Sequence, residues 1–116
     1  NQILDDIFLP VAEQFKPDFI IFSSGFDSHH LDPLGGLKIT ADYFGEILSK
    51  FQDIQPKIVC TLEGGYNLEW MGKCIVSQLA KMTSNKIKTE DSSSENKNVE
   101  KVIKDIKNEI KDYWEL

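Results

Sequence analysis

Asp27, His29, His30 and Asp32 lie within one short stretch, "FSSGFDSHHLDPLGG". Carboxylates and imidazoles are the side chains that ligate divalent metals and move protons near neutral pH. A second stretch, "LEGGYN", places Tyr66 directly behind two glycines. A phenol held there can donate a hydrogen bond to a developing oxyanion, and the glycines let backbone come close to a ligand. Each residue also has an ordinary reading. Asp27 can be a turn acceptor or helix cap instead of a metal ligand, and Tyr66 can be a half-buried loop tyrosine. Asp32, just before Pro33, is expected to hold the turn of its loop. His29 and His30 are adjacent, and neighbours in an extended segment point opposite ways. At most one of them is expected to face a given site, and neither is assigned as a ligand.

Elements on either side must position these residues. Ile3, Leu4, Ile7, Phe8, Val11, Ala12 and Phe15 form a wide apolar stripe at helical spacing over residues 2–15, ended by Pro17. "DFIIFS" and "KIVCTL" are short, nearly continuous apolar runs, as in strands buried on both faces of a parallel sheet. Between them, Thr40 can cap a helix that buries Tyr43, Phe44, Ile47, Leu48 and Phe51. A further helix from Leu68 to Met82 presents Leu68, Met71, Ile75, Leu79 and Met82 as its core face. Helix, strand, helix, strand, helix is the order of an α/β fold with a parallel sheet between helices. Ligands bind such sheets beyond the carboxyl ends of the strands, where both motifs lie. Two strands are few for such a sheet, so the chain reads as part of something larger.

Composition narrows the function classes. All 13 basic residues are lysine, and the formal net charge is −6, with no basic patch to bind nucleic acid. No apolar run approaches the ~20 residues of a membrane span. Cys60 and Cys74 form no disulfide or zinc pattern and read as small buried hydrophobes, which suits the cytoplasm. Residues 83–98 are polar and read as a disordered linker. Val99, Ile103, Ile106, Ile110 and Tyr113 then recur at heptad spacing over 99–116. This amphipathic helix is expected to dock on the body or to self-associate.

Taken together, "SSGFDSHHLDPLGG" and "LEGGYN" resemble the zinc-dependent deacetylase family, whose members include histone deacetylases, acetylpolyamine amidohydrolases and acetoin-utilisation proteins. The resemblance spans Ile3 to Leu79 and implies the three-layer αβα arrangement of the arginase/deacetylase fold. It carries a zinc-ligating aspartate onto Asp27 and the catalytic tyrosine onto Tyr66. Leu34 falls where such proteins line the acyl-lysine entrance, and Gly64 and Gly65 where they shape the pocket floor. In these enzymes the metal polarises an amide carbonyl and activates water, and the tyrosine stabilises the tetrahedral oxyanion. The family's Asp-x-His ligand motif and tandem catalytic histidines lie upstream of this region and have no counterpart here. His29 and His30 follow the wrong strand to be that pair.

The implied organisation is the C-terminal part of a deacetylase-like domain over 1–82, a linker over 83–98 and a helix over 99–116. The implied activity is hydrolysis of acetyl-lysine or of acetylated small amines by the full-length protein, without nucleic acid or membrane partners. These 116 residues alone are expected to be inactive, because a catalytic zinc needs about three protein ligands. The alternative is a non-enzymatic interaction module that dimerises through its last helix.

Overall fold

The computed structural model describes residues 1–89, 91–92 and 99–116. A π-helical turn (Leu4–Phe8) leads into α1 (Leu9–Phe15). Pro10 explains the change of winding. It has no N–H to give, and its ring crowds the carbonyl four residues back, so the preceding turn widens. Lys16 closes α1 in the left-handed conformation, its N–H on the Ala12 carbonyl, and Pro17 turns the chain away.

β1 (Ile20–Ser24) and β2 (Ile58–Leu62) pair in parallel, from Ile20 opposite Ile58 to Ser24 opposite Leu62. The crossover between them contains α2 (Ala41–Ile54). After β2 come α3 (Leu68–Met82) and α4 (Val99–Ile110). The α/β class and the helix–strand order are as the sequence implies. One face of β1 turns toward α2, with Phe22 edge-on to Phe51 at 5.3 Å between ring centroids. The other face is uncovered. Ile21 and Val59, paired across the two strands, are exposed there, so burial on both faces is not met among the described residues. Alternate residues of a strand point to opposite faces, and two strands with three neighbouring helices cover only one.

The core gathers Phe26, Ala41, Phe44 and Cys74, with Ile39, Trp70, Met71 and Ile75 packed around them. Phe26 and Phe44 meet edge to face at 5.1 Å. α3 turns inward only part of the face its apolar residues suggest, with Met71 and Ile75 on the core. Cys74, Ser77, Gln78 and Ala80 are buried, while Leu68 (80% exposed) and Leu79 face outward. α2 packs on the side where α3 carries small residues, and among the described residues Leu68 and Leu79 stay uncovered. Among the described residues, no helix is long and apolar enough to cross a membrane.

Glu90 and residues 93–98 of the expected linker lie outside the described residues. Thr89 donates its N–H to the Asp42 carboxylate at 2.9 Å, which holds this segment against the start of α2. α4 packs near the Leu4–Phe8 turn with Ile103 buried. Gln14 and the Glu115 backbone exchange two hydrogen bonds there, at 2.7 and 3.0 Å.

Candidate functional site

The two strands end side by side, and their hydrogen-bonding continues into the loops. Glu63 donates its N–H to the Ser24 carbonyl at 3.1 Å, and Phe26 donates to the Gly64 carbonyl at 2.8 Å. Phe26, buried in the core, anchors the first loop. The next residue is Asp27. His29 donates its N–H to the Phe26 carbonyl at 3.1 Å, so Asp27 sits inside a closed turn.

The Asp27 side chain lies against the second loop. A Cβ added at Gly64 would stand 2.8 Å from Asp27 Oδ2, so the carboxylate occupies space that any other residue at 64 would fill. Among the described residues nothing donates a hydrogen bond to this partly exposed carboxylate. Gly65 has φ of +136°, a conformation L-residues rarely adopt, and it turns the chain sharply before Tyr66. The Tyr66 side chain is 54% exposed. Leu34 is 72% exposed at the end of the first loop. The fold thus brings Asp27, Gly64, Gly65 and Tyr66 onto two touching loops, with Leu34 at their rim.

Asp32 fastens these loops together. Its Oδ1 accepts the N–H groups of Leu34 (2.9 Å) and Gly35 (3.1 Å) from its own loop. Its Oδ2 accepts those of Tyr66 (2.7 Å) and Asn67 (3.2 Å) from the other. Asn67 returns the contact, its Nδ2 donating to the Leu31 carbonyl at 2.8 Å, and its Oδ1 caps α3 at Trp70. Burial alone would raise the Asp32 carboxyl, but the four backbone donors outweigh it and hold the group below its ordinary 3.8. The turn-holding role read from the sequence is present, and the bond to the tyrosine loop is added to it.

His29 and His30 correct one expectation. Both rings reach the same carboxylate, Asp91, with Nε2–Oδ distances of 2.9 and 2.6 Å. Alternation applies to extended backbone, and here the chain turns. His29 donates to Phe26, and Asp32 donates to the His29 carbonyl. His29 is buried and stacked on Trp70 at 5.0 Å. Asp91 Oδ2 also accepts the Ala41 N–H at 2.9 Å. It therefore caps α2, a role expected of Thr40, whose side chain makes no capping bond. Burial pushes the Asp91 carboxyl up, and the bonds from Ala41, His30 and His29 bring it below 3.8.

These three side chains are metal-donor types clustered within 4.8 Å. Their hydrogen bonding describes a different object. His29 Nδ1 accepts the Leu31 N–H at 3.2 Å, so Nε2 carries the ring proton and donates it to Asp91. Such a nitrogen has no lone pair to offer a cation. Asp91 and Trp70 were not singled out in the sequence. Asp91 sits in a polar run far along the chain, and nothing local marks it.

The donor set at Asp27 fits one ligand of a divalent metal site: an unpartnered carboxylate oxygen beside a glycine cradle. It does not make a complete site.

Residues 1–82 match the histone deacetylase domain family. The chain is 34% identical to histone deacetylase 18 of Arabidopsis thaliana over 114 residues, 97% of this chain and 17% of that protein. It is 47% identical to histone deacetylase 5 of the same plant over 70 residues, 60% of this chain and 11% of that one. In structure it is similar to the HDA15 HD domain (TM-score 0.83, 28% identity), covering 97% of this chain and 31% of that one. It also shares the fold of the histone deacetylase Clr3, with a TM-score of 0.86 at 22% identity over 97% of this chain and 19% of Clr3. The chain spans under a third of the length of each of these relatives.

Proposed function

The chain belongs to the histone deacetylase family, and on that footing we propose that it supplies one wall of a metal-dependent site that hydrolyses the acetyl-amide bond of acetyl-lysine or of an acetylated small amine. Zinc is the metal proposed, and when bound it would polarise the amide carbonyl and activate a water. Asp27 is its ligand from this chain. Tyr66 donates its phenolic proton in a hydrogen bond to the oxyanion that forms as the carbonyl carbon becomes tetrahedral. Leu34 borders the entrance for the acyl chain, and Gly64 and Gly65 leave room beneath it. One observation carries this reading: the Asp27 carboxylate rests on Gly64, two residues before Tyr66, on loops that Asp32 ties together.

Activity belongs to the full-length protein. A lone carboxylate does not hold zinc at useful affinity, so these 116 residues are proposed to be inactive by themselves. Both described cysteines are free thiols, which agrees with a reducing compartment, and the cytoplasm is the location proposed.

The test uses the full-length protein. Tyr66→Phe should lower kcat at least a hundredfold while zinc content stays stoichiometric, because it removes a bond made in the transition state. Asp27→Ala should lose zinc. Wild-type turnover in the first variant, or full zinc in the second, overturns the corresponding role.

A further inference from the structure

We propose that Asp91 is a positioning residue of this site: a carboxylate from the segment after α3 that pins the turn carrying Asp27 from behind. The inference rests on the reading of Asp27 as a metal ligand.

The geometry is that of a three-way clamp. Asp91 reaches across 62 positions of sequence to His29, 61 to His30 and 50 to Ala41. His29 is the residue whose N–H closes the turn around Asp27. The His29 side chain, 1% exposed, lies between the Asp91 carboxylate, 3% exposed, and the Trp70 ring of α3. His30 is held on its backbone as well, donating its N–H to the Ile39 carbonyl at 3.0 Å, while Ile39 donates to the Ser28 carbonyl at 3.1 Å across the isolated His29–Ile39 bridge. The same carboxylate caps α2, which supplies the Phe44 ring that Phe26 packs against. One side chain thus joins the turn to α2, and through the His29–Trp70 stack to α3.

Nothing else described bonds the His29 Nε2 or the Ala41 N–H. Both donors are buried, and water cannot replace Asp91 without opening the cluster. Thr89, two residues earlier, is bonded to Asp42 and limits how far Asp91 can withdraw. Asp91 does not touch Asp27. Its effect runs through His29 and the turn's backbone, as supporting residues commonly act on a metal ligand.

The experiment compares Asp91→Ala and Asp91→Asn in the full-length protein, read by amide hydrogen exchange of the metal-free form and by zinc affinity in chelator competition. In Asp91→Ala the His29 amide should exchange at least tenfold faster, and zinc should bind about 10–100-fold more weakly. Asp91→Asn keeps an acceptor for the buried donors and should recover most of both. Unchanged exchange at His29 with unchanged zinc affinity overturns the proposal. So does equal loss of protection throughout α2 and α3, which would make Asp91 a general strap. If Asp91→Ala does not fold, Asp91→Ser, whose shorter side chain cannot span His29, His30 and Ala41 together, takes its place: faster exchange confined to the Asp27 turn supports the pin, and its absence overturns it. Retention of zinc by Asp27→Ala would instead overturn the ligand reading, and exchange at His29 would still judge the pin.

Discussion

The Asp32 carboxylate accepts the Tyr66 N–H at 2.7 Å across 34 positions of sequence while its other oxygen holds Leu34 and Gly35. One carboxylate therefore sets the spacing between the loop that bears Asp27 and the loop that bears Tyr66. Four backbone donors converge on it, so its charge and both its oxygens are in use.

Asp32→Asn replaces one acceptor oxygen with an N–H donor aimed at other N–H donors. The tyrosine loop should move outward with its backbone bond lost. A displacement near 1 Å at a reacting group costs on the order of 10²-fold in rate. The full-length variant should show kcat lowered by about 10–100-fold, with zinc content unchanged, since Asp27 keeps its own turn. Kinetics with metal analysis checks this. A kcat within twofold of wild type would mean Tyr66 is placed by other contacts.

The same carboxylate gives stability a defined pH dependence. Its folded value lies below the ordinary 3.8, so the native state binds the proton less tightly than the unfolded chain does. The stabilisation is in force above the unfolded value and is lost as pH falls through the lower folded value. The difference in unfolding midpoint between wild type and Asp32→Asn should be constant above about pH 5 and shrink below 3.8. A difference that persists undiminished in strong acid would contradict the ionised role.

Much of this arrangement is legible in the sequence, and what is not has a common cause. The helices, both strands and the turn at Asp32 follow from local spacing and from proline and glycine chemistry. The bond from Asp32 to Tyr66 and the meeting of His29, His30 and Asp91 are long-range. No local pattern encodes the partner of a buried carboxylate many residues away. The exposed Leu68 and Leu79 misled for a related reason. An apolar stripe says that a surface is to be covered, and it does not say which neighbour covers it. Here α2 takes the side with Cys74 and Ser77.

Cys74 illustrates a core role that is easily checked. Burial, with the Asp91 carboxylate nearby, pushes its thiol up to about 12. At pH 8 the thiolate is then on the order of 10⁻⁴ of the population, and the side chain is fully buried. Burial raises the Cys60 thiol as well, but that residue is partly exposed on β2. Alkylation of the native protein followed by peptide mapping should mark Cys60 slowly and leave Cys74 unmodified until the protein is unfolded. Rapid native labelling of Cys74 would show that the α2–α3 contact opens freely.

Gly64 and Gly65 separate two kinds of glycine requirement, and alanine at each tells them apart. Gly64 lies outside the left-handed region, so Gly64→Ala brings little backbone strain, but the new methyl would sit 2.8 Å from Asp27 Oδ2 and push the carboxylate aside. Full-length Gly64→Ala should fold near wild-type stability and bind zinc at least about tenfold more weakly. Gly65 has φ of +136°, and a Cβ there would also press on Phe26 at 3.1 Å. Gly65→Ala should therefore destabilise the fold by about 1–3 kcal/mol and disturb the Tyr66 turn. Unfolding midpoints together with zinc titration of both variants make the comparison. If Gly64→Ala instead loses stability while its folded fraction binds zinc normally, the glycine serves the backbone, and the Asp27 carboxylate does not depend on the space it leaves.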